Sequence, residues 1–208
     1  KMSFESLDNT KKVSTIVYMS NFSSWGPTNE LGIKPEITAP GGMIKSTLNG
    51  EDGYAVYSGT SMASPFVAGS EAVMINALQA RGMNLKGEKL SKFLKNSMVN
   101  TADVITDPDS KYPYSVRYQG AGMVDVYGAV DNNVLATYNG EAKIELGELT
   151  GTKTVDITLT NYGKTAASYS LKESQIYTDN TENKNVGTNE EEHVYNILPV
   201  EGAKITYN

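Results

Sequence analysis

The 208-residue sequence contains no cysteine and a single histidine. Without thiols there is no disulfide framework, no thiolate metal site and no cysteine nucleophile, although the compartment stays open. No apolar run approaches the ~18 residues that a membrane span requires. The opening stretch KMSFESLDNTKK has no apolar signal core and reads as mid-protein sequence, so any targeting signal is expected outside this chain. There is no long Lys/Arg cluster either: 24 acidic residues against 18 basic ones give a net charge of −6, and no nucleic-acid partner is expected. An apolar content of 39% suffices for one sizeable core or two modest ones, which sets aside disorder and fibrous repeats.

The pattern of what is present changes along the chain. Val13 to Met19 is β-branched and aromatic enough for a strand, and Gly26-Pro27 punctuates it as a turn. From Ile33 to Tyr57 short apolar pieces are broken by Pro35, Pro40, Gly41, Gly42, Gly50 and Gly53, which suits loops and brief strands around a site. Between Ser61 and Ala80 apolar residues fall on nearly every side of a helical projection and Gly82 supplies a stop, so a long buried helix is expected. Leu90, Phe93, Leu94 and Met98, opposed by Lys86, Lys89, Lys92 and Lys95, predict a second, amphipathic helix. Gly120 to Val130 reads as a glycine-led strand running into a brief helix capped by Asp125. After about Asn133 the period becomes two. Ile144 and Leu146, then Val155, Ile157 and Leu159, alternate with polar residues; NYGK at Asn161 to Lys164 makes a turn, and Tyr169 and Leu171 resume the alternation. Two units follow, an α/β portion over 1–133 and an all-β portion over 134–208, the latter shorter than a complete sandwich of ~100 residues.

Chemistry concentrates in SGTSMASPFVAGS, Ser58 to Ser70. A serine at the mouth of a long helix lies beside unpaired amides and the positive end of the helix dipole, which can stabilise a developing oxyanion. Gly59 leaves room for a substrate backbone, Ala63, Ser64, Ala68 and Gly69 permit close packing, and Pro65 is expected in the first turn.

The ordered blocks NFSSWGP (Asn21 to Pro27), PEITAPGG (Pro35 to Gly42), IKSTL (Ile44 to Leu48), GTSMASP (Gly59 to Pro65) and GAGMVDV (Gly120 to Val126) resemble the subtilases, most of all the Gram-positive cell-envelope proteinases of the lactocepin and C5a peptidase type. The resemblance implies an α/β fold in which 1–133 is the C-terminal part of a catalytic domain, a parallel sheet with a buried helix, and 134–208 is a partial fibronectin type III-like sandwich. It implies an extracellular, cell-wall-associated serine endopeptidase. Ser61 is then the nucleophile and an oxyanion donor through its own amide, Thr60 supports the oxyanion, Gly59 borders the substrate channel and Met62 is oxidation-sensitive. Phe66 stands where many subtilases have a histidine that is not the general base. The family's triad order Asp, His, Ser, that of subtilisin, implies that the first two members and the oxyanion Asn precede Lys1. The partners implied are a protein or peptide substrate and the rest of the same protease, and the chain alone is expected to be inactive.

Plainer assignments cover the remaining candidates. His193 sits in the polar run TNEEEHVYN and reads as a surface residue. Asp103, Asp107, Asp109 and Asp125 match no calcium-loop spacing and read as turn, cap and solvated residues, so no metal and no cofactor is expected. Tyr162 and Tyr169 are expected to pack. Two other functions stand beside this one: a non-catalytic subtilase-like surface protein that binds host or wall components, and an α/β-hydrolase esterase, disfavoured because GTSMA lacks the second glycine of the GxSxG elbow.

Overall fold

The structure, a computed structural model, describes residues 17–50, 53–170, 175–180, 182–185, 191–194, 197–203 and 205–206. Its elements run β1 (Ile44–Thr47), β2 (Tyr54–Tyr57), α1 (Thr60–Ala80), α2 (Gly87–Thr101), α3 (Val116–Gln119), α4 (Val126–Asp131), β3 (Val134–Thr137), β4 (Thr158–Asn161), β5 (Glu182–Asn185) and β6 (Glu191–Val194).

The core lies where α1, α2, α4 and β3 meet. Met74 and Leu78 of α1, Phe93, Leu94 and Met98 of α2, Val124, Ala129 of α4 and Leu135 of β3 form one buried cluster. Each large apolar side chain so buried contributes about 1.5–3 kcal/mol. The amphipathic spacing read for α2 is thus the spacing the core uses. The C-terminus of α1 is closed by a double turn in which Gly82 N–H donates to the Gln79 carbonyl and Met83 N–H to that of Leu78, both at 2.9 Å, the pattern that ends helices at a left-handed residue. Asp125 caps α4 as expected, its carboxylate accepting from Gly128 N–H at 2.9 Å. A second, smaller cluster joins Ile105, Tyr114 and Tyr118, with Trp25 stacked on Tyr118 at 4.1 Å.

Several expectations are corrected. α1 is not buried on every side: Ser70, Met74 and Leu78 form a single stripe, while Phe66 is 42% and Val73 54% exposed. The cause lies in the surroundings, because among the described residues no sheet lies against the other faces. The parallel sheet is represented by one parallel bridge, Thr38 to Met123, and every sheet among the described residues is a two-stranded antiparallel pair. Pro65 falls in the second turn of α1, not the first. Its missing N–H deprives the Ser61 carbonyl of its i+4 donor. Of the strand expected over Val13 to Met19, residues 13–16 lie outside the described residues and 17–19 form no strand. The glycine-led strand before α4 shrinks to Met123, bridged to Thr38 and Asp103.

In the period-two region the pairing falls at 158–161, with Val134 opposite Asn161 and Thr137 opposite Thr158. Ile144, Leu146 and Tyr169 are in no strand, and Leu171 lies outside the described residues. Asn161 makes the expected turn, its side-chain oxygen accepting from Gly163 N–H at 2.7 Å. Tyr162 packs edge-on against Phe93 at 5.0 Å, whereas Tyr169 is exposed and does not pack as expected.

The region after residue 133 is fastened to what precedes it. Asn96 of α2 accepts from Ala142 N–H (3.0 Å) and donates to the Gly140 carbonyl (2.9 Å), and Asn100, one turn on, does the same for both backbone groups of Ala136. Two amide side chains at i, i+4 thereby replace a missing strand partner. Glu36 faces three ammonium groups: Lys34 at 2.8 Å, Lys143 at 3.6 Å and Lys95 at 3.8 Å. Lys95 and Lys143 also reach Glu141 at 2.5 Å and Glu145 at 3.0 Å. Further along, the Arg117 guanidinium grips Asp179 with two bonds, 2.9 and 3.1 Å, and the Ser115 hydroxyl donates to the same carboxylate.

Candidate active site

The β1–β2 hairpin leads directly into α1. Its ladder ends at Ile44 opposite Tyr57, and two further contacts carry the pairing toward the helix. Met43 N–H donates to the Ser58 hydroxyl at 2.8 Å, and Gly59 N–H donates to the Gly41 carbonyl at 2.8 Å. Met43 takes a left-handed conformation, φ 54°, a region that non-glycine residues seldom adopt. Gly59 is the N-cap, with extended backbone and no side-chain cap. Met62 N–H donates back to its carbonyl at 3.0 Å, starting the helix.

Ser61 is the second residue of α1 and is exposed. Among the described residues its hydroxyl makes no hydrogen bond, and neither its amide nor that of Thr60 has an acceptor. An exposed hydroxyl and two open N–H groups at the positive end of a 21-residue helix are the parts that an oxyanion-stabilising nucleophile site needs. Thr60 is exposed beside it, and Met62 is half-buried. The Met62 sulfur lies 3.8 Å from where a Cβ at Gly59 would stand, and Ser61 N lies at 3.7 Å. These are ordinary contacts, and an extended backbone suits any residue, so this chain's own packing does not demand glycine at 59. Phe66 sits farther along the helix, exposed.

The sequence pattern marks Gly41 only as a loop breaker, yet the site depends on it. A Cβ there would stand 2.7 Å from the Gly59 carbonyl oxygen and 3.2 Å from Ala63 Cβ, too close for any side chain. The signal for it was the Gly-Gly pair inside PEITAPGG; the role of Ser58 has no sequence signal, since serine before glycine is common in any loop.

The other candidates belong to other elements and turns of the chain. His193 is on β6, in register with Asn183 of β5. Asp107 organises a turn, accepting from Asp109 N–H (3.2 Å), Ser110 N–H (3.1 Å) and the Tyr114 hydroxyl (3.4 Å). Burial works against its charge, but these donors outweigh burial and hold its carboxyl below the usual range. Burial, reinforced by the Asp107 charge, pushes the Tyr114 phenol up to about 12. Asp103 contributes through its backbone, exchanging N–H and carbonyl bonds with Met123 at 2.9 and 2.8 Å. Among the described residues no three His, Asp or Glu side chains converge as a metal site would require, and no helix is long and apolar enough to cross a membrane.

The chain is similar to known proteins. The chain is 45% identical over 157 residues to the PII-type proteinase of Lactococcus lactis subsp. cremoris, a match covering 69% of this chain and 8% of that protein. The PII-type proteinase of Lacticaseibacillus paracasei matches to the same extent. The C5a peptidase of Streptococcus pyogenes serotype M6 is 34% identical over 145 residues, covering 69% of this chain and 12% of the relative. The chain therefore spans about a tenth of the length of these curated relatives. The profile of the Subtilase family matches residues 8–122, more than half of the chain and the whole path from Trp25 through the hairpin and α1 to Gly122. Ser61 at its helix start and the hairpin before it lie within the matched residues, which end inside the GAGMVDV block at Gly122, and the chain belongs to the Subtilase family.

Proposed function

We propose that this chain is the nucleophile-bearing limb of an extracellular serine endopeptidase. The observation that carries the proposal is the exposed Ser61 at the start of α1, its hydroxyl and the neighbouring amides unengaged among the described residues. In this reading the Ser61 oxygen, its proton taken by the base, adds to a peptide carbonyl; the C–N bond then breaks, the amine leaves with that proton, and the acyl-enzyme remains. The carbonyl oxygen takes up negative charge beside the Ser61 amide with Thr60 in support, and Gly59 and Met62 border the substrate path.

A serine hydroxyl near neutral pH requires an adjacent base. The single imidazole of the chain, His193, lies in the acidic β6 run, and the base is assigned to another part of the full-length protein. The relatives named as proteinases and peptidases support protein or peptide as the substrate; the cell envelope as the place of action is what the resemblance of the sequence blocks implies. Residues 134–208 are read as a β-rich module following the catalytic portion, of the fibronectin type III-like kind; the alternation at Val155 to Thr160 and the antiparallel pairs support this.

Labelling with a fluorophosphonate tests the proposal. The full-length protein is expected to label at Ser61 and to cleave peptides, the Ser61→Ala variant to do neither, and the 208-residue chain alone to stay unlabelled on the same timescale. Equal labelling of the protein and its Ser61→Ala variant removes Ser61 from the chemistry and leaves a subtilase-like surface protein that binds without cleaving.

A further inference from the structure

We propose that Ser58 is a positioning residue for the nucleophile, acting through the Met43 amide as one half of a clamp whose other half is Gly41. The inference rests on Ser61 being that nucleophile.

The clamp follows from how the helix start is held. Regular pairing ends at Ile44 and Tyr57, four residues before Ser61. Beyond that point Met43 is left-handed and donates its amide to the Ser58 hydroxyl at 2.8 Å. Gly59 N–H then closes on the Gly41 carbonyl, also at 2.8 Å. The loop at Gly41 touches the chain on both sides of the nucleophile: a Cβ there would meet the Gly59 carbonyl at 2.7 Å and Ala63 Cβ at 3.2 Å. Two hydrogen bonds and one glycine contact therefore fix the segment that carries Thr60 and Ser61.

Little else among the described residues steadies this segment. Ser58, Thr60 and Ser61 are all exposed, and so are Tyr54 (69%) and Tyr57 (56%) of β2, so burial does not hold the junction in place. The first buried residue of α1 is Ser70, about two and a half turns beyond Ser61. Where packing is thin, a single side-chain acceptor has leverage. Because both partners are at the surface, water can replace the lost bond, and removing it costs little folding free energy. Attack on a carbonyl is less forgiving, since a displacement of about 1 Å can cost roughly a hundredfold in rate. Ser58 thus separates the two readouts, altering turnover while sparing stability.

The test uses the full-length protease with Ser58→Ala, Ser58→Thr, Gly41→Ala and Ser61→Ala, measuring kcat and KM on a peptide, the second-order rate of fluorophosphonate labelling, and the melting temperature. Ser58→Ala is expected to lower kcat and the labelling rate about tenfold, with KM changed less than about twofold and Tm lowered by no more than about 2 °C. Ser58→Thr keeps the hydroxyl acceptor and is expected to restore most of the loss. Gly41→Ala, which drives a methyl into the Gly59 carbonyl, is expected to lower kcat about a hundredfold. An unchanged kcat in Ser58→Ala, or a loss that threonine does not restore, overturns the clamp. If that happens while Ser61→Ala is inert, the clamp alone is wrong; full activity in Ser61→Ala overturns the underlying assignment of the nucleophile.

Discussion

At the scale of single residues, backbone approach decides more than side-chain chemistry. Gly122 adopts φ 128° and stands so near Asp103 that an added Cβ would lie 2.1 Å from its carbonyl oxygen. That contact belongs to the bridge through which Met123 joins Thr38 to Asp103, and it ties the GAGMVDV segment to the strip leading to Gly41. Gly122→Ala is expected to destabilise by at least about 3 kcal/mol, combining an unfavourable conformation with a backbone clash. Urea unfolding, followed by the fluorescence of Trp25, checks this, and a loss under ~1 kcal/mol would show that the bridge can yield. Gly59 is the opposite case: space and conformation both permit a side chain there, and its replacement is expected to impair substrate turnover more than folding.

At the scale of elements, α2 is the organiser. One face supplies Phe93, Leu94 and Met98 to the core, and its flank presents Asn96 and Asn100 to the chain that follows α4. Asn96 is buried, and both ends of its amide are engaged by backbone groups of residues 140 and 142. Asn96→Ala leaves a donor and an acceptor without partners and is expected to cost about 2–4 kcal/mol. Asn96→Asp retains the acceptor for Ala142 and loses the donor for Gly140. Hydrogen exchange is expected to accelerate at Ala142 in the alanine variant and less so in the aspartate variant; equal protection in both would mean that these bonds do not hold the segment. α1 differs in kind, because its apolar residues exceed what the described residues cover. The exposed Phe66 and Val73 are what remains when a helix patterned for burial on several sides meets a core on only one.

At the scale of the whole molecule, charge fastens the later part of the chain to the earlier part. Burial raises the cost of ionising Glu36, but Lys34, Lys95 and Lys143 outweigh it and hold its carboxyl below the ordinary range. A carboxylate lowered in the folded state stabilises the fold fully at pH above the unfolded value, and the contribution disappears as pH falls through the folded value. The segment 141–145 is therefore expected to open at acid pH, and Glu36→Gln is expected to open it at neutral pH. Hydrogen exchange over 141–145, corrected for the intrinsic pH dependence, reads both effects. A Glu36→Gln protein with wild-type protection at pH 7 would show that Asn96 and Asn100 suffice without the ion cluster. An apolar cavity of about 210 Å³, lined in part by Ile33, Val99, Val116 and Ile144, lies beneath this cluster and includes no residue of 58–62. The seam and the candidate active site are separate places on the molecule.

How much of this could be read from the residues alone follows from the range of the forces involved. The long helix, the amphipathic spacing of α2, the Asp125 cap and a serine at a helix mouth are local patterns, set by side chains three or four positions apart and by the needs of unpaired helix amides. They are legible in the amino-acid order, and so is membership of the family, because its blocks are contiguous words. The extent of α1 burial, the antiparallel pairs in place of a parallel sheet, the pairing at 158–161 rather than 155–159, and the partners of Ser58, Gly41 and Glu36 were not legible. Each joins positions far apart in sequence, or depends on which surfaces happen to face one another. Serine at 58 and glutamate at 36 acquire their roles only when a left-handed Met43 and three lysines are brought to them, and that is a property of the folded chain, where hydrogen bonds and charge act over a few ångströms regardless of separation along the sequence.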